Sequence, residues 1–137
     1  MANLSAGRYR TPLSRARGMG ASRHGVSHFI TERVSGLALI PLTLWAVFAA
    51  LRLAGPAYRS QEAVASWIAA PHNTVLLALL LVVALVHLKS AIQVVIEDYI
   101  ERFTTKTVLV VANLFVCVVA GAAGVVSILK VALTGAL

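Results

Sequence analysis

Three side chains able to take part in chemistry lie close together in the sequence: His87, Asp98 and Tyr99. His87 lies within a stretch of aliphatic residues, and Asp98 and Tyr99 follow it by eleven and twelve positions. A neutral imidazole in apolar surroundings is a good axial ligand for haem iron, but it can equally form a hydrogen bond to a neighbouring helix. Spacing alone leaves both interpretations open.

Asp98 and Tyr99 are related to His87 by helical geometry. At ~100° per residue, Asp98 falls on the same side of a helix as His87, so we expect one polar stripe that faces a partner. At ~1.5 Å per residue, Tyr99 stands ~18 Å along the axis, where its phenol can donate a hydrogen bond to a carbonyl oxygen at a membrane boundary. The alternative is an amphipathic tyrosine of the membrane interface.

Two basic residues, Arg33 and Lys89, also require an interpretation. Arg33 precedes the first apolar run, and it either anchors the chain at the membrane surface or pairs with an anion such as a haem propionate. Lys89 points ~200° away from His87 on a helix, so we assign it no chemistry.

The elements that carry these residues are three apolar runs. The 137-residue chain is 59% hydrophobic with a mean hydropathy of +0.86, well above the ~45–50% apolar content of a soluble domain. The sequence therefore predicts an all-α membrane protein with three transmembrane helices. The predicted helices cover about 28–53, 73–98 and 105–133, with Asn73 as the N-cap of the second.

The basic N-terminus predicts topology. Five arginines and no acidic residue occupy the first 25 positions, although the net charge of +7 could also suggest a nucleic-acid binder. Excess Lys and Arg on one side favours a cytoplasmic N-terminus. We expect a cytoplasmic arm at 1–27 and a membrane anchor domain at 28–137, in a bacterial inner membrane rather than a mitochondrial one, with no nucleic acid bound.

Two sequence segments resemble the hydrophobic anchor family of succinate dehydrogenase, the cytochrome b556 subunit. One is HLKSAIQVVIEDYIE, which contains His87, Asp98 and Tyr99, and the other is GVSHFITERVSGLALIPL, which contains Arg33. The resemblance extends roughly from Gly18 to Leu133 and looks closest to alphaproteobacterial members.

The resemblance implies roles for individual residues. His87 would be an axial ligand of haem b, Tyr99 supported by Asp98 would help to bind ubiquinone, and Arg33 would lie near the haem propionates. Ala91 departs from the glycine that is common after the histidine. Ser27, His28 and Lys89 receive no role.

The resemblance also implies partners. The haem would be shared with a second membrane anchor, the cytochrome b subunit, which packs with this chain as a helical bundle and supplies the other ligand. FAD and iron-sulfur clusters would belong to a flavoprotein and an iron-sulfur subunit, because this chain has a single cysteine, Cys117. The chain would thus be a subunit of succinate:quinone oxidoreductase that is not catalytic alone.

Two other functions compete with a haem-binding anchor. A haem-free structural anchor of a related membrane oxidoreductase would leave His87 as a packing hydrogen bond. A small multidrug-type transporter would need a carboxylate within a span for proton coupling. All five carboxylates lie outside the predicted spans or at their ends, which disfavours the transporter.

Overall fold

The chain forms a bundle of three long helices and one short helix. A computed structural model describes residues 24–135, and every regular element in that range is helical. The elements are α1 (His24–Leu53), a 3-10 turn (Pro56–Tyr58), α2 (Gln61–Ala69), α3 (Pro71–Tyr99) and α4 (Phe103–Thr134). Residues 1–23 of the predicted arm at 1–27 lie outside the described residues, and α1 begins at His24, within that arm.

The three long helices are long and apolar enough to cross a membrane. The candidate spans are Phe29–Leu53, Pro71–Tyr99 and Phe103–Thr134, of 25, 29 and 32 residues. Each exceeds the ~20 residues that the hydrocarbon layer requires. The predicted all-α class and its three transmembrane helices are confirmed.

The start of α3 differs from the expectation. Ala70 occupies the N-cap position and Pro71 follows it at the start of the helix, where the missing N–H of proline costs nothing. Asn73 is buried, and its side-chain Nδ2 donates to the carbonyl oxygen of Trp67 at 2.8 Å. The prediction of Asn73 as N-cap was therefore wrong, and the residue instead ties α3 to the preceding helix.

The segment between α1 and α3 contains ordered helical structure. Ser60 caps α2, because its side-chain oxygen accepts a hydrogen bond from the backbone N–H of Ala63 at 3.2 Å. Trp67 of α2 stacks on Trp45 of α1, with ring centroids 6.1 Å apart and ring planes at 15°. These contacts hold α2 against the long helices at one end of the bundle, which we call the α2 end. The opposite end is the Tyr99 end.

Helix α3 is central, since it packs against both α1 and α4. Small residues of α4 allow the close approach of α3. A Cβ added at Gly121 would lie 3.3 Å from Leu85 Cδ1, and one added at Gly124 would overlap Leu81. The small-residue patch at 120–124 therefore serves, at both glycines, to pack α4 against α3 within the chain.

Most of the large apolar side chains remain uncovered. The buried hydrophobic residues in the described range are Leu42, Ala65 and Val131. Phe48 and Phe115 are 69% and 64% exposed on α1 and α4. Exposed apolar surface on this scale indicates contact with lipid or with another membrane subunit.

We predict that Gly124→Val weakens the packing of α4 against α3. The new side chain would overlap Leu81, and overpacking of this kind costs about 1–3 kcal/mol. The matched control is Ala122→Val, because Ala122 is exposed on the same helix. Thermal unfolding of the purified protein in detergent should show a lower midpoint for Gly124→Val alone. Equal midpoints for the two variants would contradict the packing role.

Candidate functional site

The side chain of His87 is held by α1. Its Nδ1 lies 3.1 Å from the hydroxyl oxygen of Ser35, across the contact between α3 and α1. The Ser35 hydroxyl also lies 3.1 Å from the backbone carbonyl oxygen of Glu32 and donates to it. Ser35 is buried and His87 is half-buried, so this bond is shielded from competition by water.

Gly36 allows α1 to approach the imidazole. A Cβ added at Gly36 would lie 3.4 Å from His87 Cε1 and 3.8 Å from Nδ1, which is ordinary van der Waals contact. The backbone of α1 therefore covers the Cε1–Nδ1 edge of the ring. The other nitrogen, Nε2, makes no hydrogen bond to any group that the structure describes and is not closed off from the surface.

His87 and Arg33 line one groove between α1 and α3, which we call the His87 groove. Its volume is ≈ 370 Å³, and its lining consists of Glu32, Arg33, Gly36, Leu37, Ile40 and His87. The Arg33 guanidinium carbon lies 5.1 Å from the centroid of the Phe29 ring, a cation–π contact that orients the group while leaving its donors available. The groove thus brings together the imidazole of His87, the guanidinium of Arg33, the carboxylate of Glu32 and apolar side chains.

The bond to Ser35 also sets the position of His87 relative to α1. Sixteen positions separate Pro71 from His87, which corresponds to ~24 Å of helix. Ser35 is only two positions from Arg33, the charged residue that precedes the apolar run of α1. The bond therefore places His87 level with the start of that apolar run.

Lys89 lines a different groove from His87. This second groove, of ≈ 380 Å³, includes Thr31, Lys89 and Cys117 in its lining. Asn113 of α4 donates from Nδ2 to the backbone oxygen of Lys89 at 2.9 Å. Lys89 thus lines a groove separate from the His87 groove.

Asp98 and Tyr99 lie at the last turn of α3, which is continuous from Pro71. Tyr99 is 81% exposed and Asp98 is also exposed. Lys106 Nζ donates to the backbone oxygen of Glu97 at 2.8 Å, which fastens the start of α4 to the end of α3. The last turn of α3 is therefore held in place, while the Tyr99 phenol and the Asp98 carboxylate are exposed and available for contact with a partner.

A conventional metal-ion site is not formed in the described residues. No group of three or more His, Cys, Asp or Glu side chains converges among the side chains that the structure describes. His72 lies at the α2 end, and the side chain of His28 is outside what the structure describes. The His87 groove is lined by two potential metal ligands, His87 and Glu32, which are too few for such a site.

Sequence reasoning missed Ser35, Gly36 and Asn113. Each is a polar or small residue within an otherwise aliphatic run, and that interruption was the available signal. Their partners could not be read from the sequence, because Ser35 and His87 are 52 positions apart and Asn113 and Lys89 are 24 apart.

Comparison with known proteins identifies the family. The profile of the family described as succinate dehydrogenase/fumarate reductase transmembrane subunit matches residues 7–121. The chain belongs to this family. The match includes the described parts of α1, all of α2 and α3, and the half of α4 that packs on α3 through Gly121.

Curated relatives agree with the family assignment. The chain is 30% identical over 108 residues to the succinate dehydrogenase hydrophobic membrane anchor subunit of Paracoccus denitrificans, covering 79% of this chain and 81% of that protein. It is 26% identical over 121 residues to the protein of the same name from Rickettsia conorii, covering 88% and 94%. Both organisms are alphaproteobacteria, as the sequence predicted. No solved structure matches significantly.

We predict that Gly36→Val displaces the imidazole of His87. A branched side chain would press its methyl groups into the ring, whereas the single methyl of Gly36→Ala fits at contact distance. Such overpacking costs about 1–3 kcal/mol. Thermal unfolding in detergent should show a lower midpoint for the valine variant than for the alanine variant. A valine variant as stable as alanine would show that α1 does not press on the ring.

Proposed function

We propose that this chain is the membrane anchor subunit of a succinate dehydrogenase, and that it helps to bind haem b and ubiquinone. Family membership supports the complex, since the curated relatives are named as its hydrophobic membrane anchor subunit. The observation that carries the cofactor assignment is that His87 and Arg33 line the same groove.

The His87 groove fits the donor set that a haem requires. The macrocycle supplies its own equatorial nitrogens, so the protein needs to provide axial ligands rather than a cluster of three or four side chains. His87 would be one axial ligand through Nε2, since Nδ1 is bonded to Ser35. Arg33 would pair with a propionate, because a guanidinium matches carboxylate geometry. When bound, the haem supplies a one-electron carrier.

The second axial ligand would come from the partner anchor. The Arg33, Leu37 and Ile40 side chains that line the groove are exposed in this chain. A second membrane subunit packed against this side would cover Leu37 and Ile40 and would bring its own histidine to the iron. The groove is thus one half of an interface.

Tyr99 and Asp98 would form this chain's share of the ubiquinone site. The exposed phenol can donate a hydrogen bond to a quinone carbonyl oxygen, and the neighbouring carboxylate can support it electrostatically. At the end of α3 they would lie at the membrane surface, ~18 Å along the helix from His87. A quinone headgroup there could accept electrons from an iron-sulfur subunit docked on that surface.

In turnover, this chain would anchor the complex in the membrane and contribute residues to the haem and ubiquinone sites. Succinate would be oxidised by the flavoprotein subunit, and electrons would pass through iron-sulfur clusters to the quinone. The chain itself is a multi-pass membrane protein. We assign it to a bacterial inner membrane with a cytoplasmic N-terminus, because the basic residues concentrate before α1.

A haem-free anchor is the alternative function. The hydrogen bond between His87 and Ser35 favours this alternative, because it already gives the imidazole a packing role between α1 and α3. Optical absorbance of the complex separates the two functions directly.

The deciding experiment is the dithionite-reduced minus oxidised spectrum of the complex purified through this subunit. We expect a b-type haem band in the wild type that His87→Ala loses or shifts. His72→Ala is the matched control, because His72 is exposed at the α2 end and lines another groove. A wild-type complex without a haem band would establish the haem-free anchor.

We predict that Tyr99→Phe lowers the succinate–ubiquinone reductase rate without changing the haem spectrum. Loss of one hydrogen bond, worth about 0.5–1.5 kcal/mol, corresponds to a decrease of roughly 2- to 13-fold in kcat/KM. Tyr58→Phe, at the α2 end, is the control and should have no effect. Succinate oxidation with a water-soluble artificial acceptor should also be unchanged. A Tyr99→Phe complex with wild-type quinone kinetics would rule out the phenol as a quinone donor.

A further inference from the structure

Ser35 is a buried hydroxyl that makes two hydrogen bonds, and the direction of one of them is fixed by its partner. It is 7% exposed, and its oxygen lies 3.1 Å from the Glu32 carbonyl oxygen and 3.1 Å from His87 Nδ1. A carbonyl oxygen only accepts, and a hydroxyl carries a single hydrogen. If that hydrogen is given to Glu32, the Ser35 oxygen is left as an acceptor, and Nδ1 must carry the proton.

The position of that proton decides what His87 can bind. A neutral imidazole has one protonated nitrogen, so a proton on Nδ1 leaves the lone pair of Nε2 available. Nε2 is the nitrogen that has no hydrogen-bond partner among the described side chains and backbone. The direction of the Ser35 bonds and the accessible nitrogen therefore agree.

We propose that Ser35 is a positioning residue that holds His87 in the Nδ1-protonated tautomer and tunes the iron bound at Nε2. This inference rests on the haem assignment above. A partner that accepts the second N–H of a ligating histidine fixes its ring and raises its basicity. Ser35 would accept this N–H from α1, where it is next to Gly36. The same turn of α1 would therefore hold the proton on Nδ1 and pack against the edge of the ring.

A series of substitutions at Ser35 tests the proposal by separating acceptor strength from side-chain size. Thr keeps the hydroxyl, Cys replaces it with a weak acceptor of similar shape, and Ala removes it. In the purified complex we would measure the haem midpoint potential, the low-spin electron paramagnetic resonance signal and the haem retained after competition with apomyoglobin.

We expect the potential to follow acceptor strength. Ser35→Thr should stay close to the wild type, Ser35→Cys should be shifted to more positive potential, and Ser35→Ala should be shifted furthest, because a less basic ligand favours ferrous iron. Haem retention in Ser35→Ala should weaken about 10-fold or more, as for other partners of metal-bound histidines.

Thr74→Val is the matched control for a general loss of packing. Thr74 is half-buried at the α2 end, and its hydroxyl donates to the carbonyl oxygen of Ile68 at 2.6 Å. This variant can lower thermal stability, but it should leave the potential and the resonance signal unchanged.

Different outcomes overturn different claims. A wild-type complex that contains no haem overturns the proposed cofactor and this inference with it. A haem-containing wild type whose potential and resonance signal are the same in Ser35→Ala overturns the positioning role alone. A potential that follows side-chain volume, with Thr shifted furthest, also overturns it, since packing would then be the cause.

Discussion

The hydrogen bond between Ser35 and His87 is the contact on which much of this structure depends. A polar side chain in the apolar part of a helix must find a partner, because lipid offers none. His87 finds it in α1, and Asn113 of α4 finds it in the Lys89 carbonyl oxygen of α3. These two bonds set the register of both outer helices against α3. They also place polar groups from all three long helices at one level along α3.

The other packing contacts of the bundle lie between this level and the α2 end. Stacking of Trp45 on Trp67 secures α2 at the far end of the bundle, and the glycines of α4 allow close contact with Leu81 and Leu85 of α3. Between these contacts the buried core is small. The chain therefore behaves as part of a larger bundle, and its exposed apolar faces are where a second membrane subunit and lipid would complete it.

Hydropathy predicted the architecture well. Long apolar runs can satisfy their backbone in a membrane only as helices, so three spans followed directly from the sequence. Local features were less predictable. Asn73 looked like an N-cap, but Pro71 already begins α3 and the Asn73 amide bonds to Trp67. The segment before α3 contains a capped helix, which a short run of mixed polarity did not indicate.

The sequence by itself determined the membrane class, the three spans, the family and the candidates His87, Arg33, Asp98 and Tyr99. Residue type and spacing along one helix are local properties, and they suffice for these conclusions. Only the tertiary structure decided that His87 is bonded to Ser35 and that Arg33 shares its groove. It also decided which residues of α1 lie level with His87, because this depends on the register of α1 against α3. That register is set by contacts between residues 52 positions apart, and no periodicity within either helix encodes it.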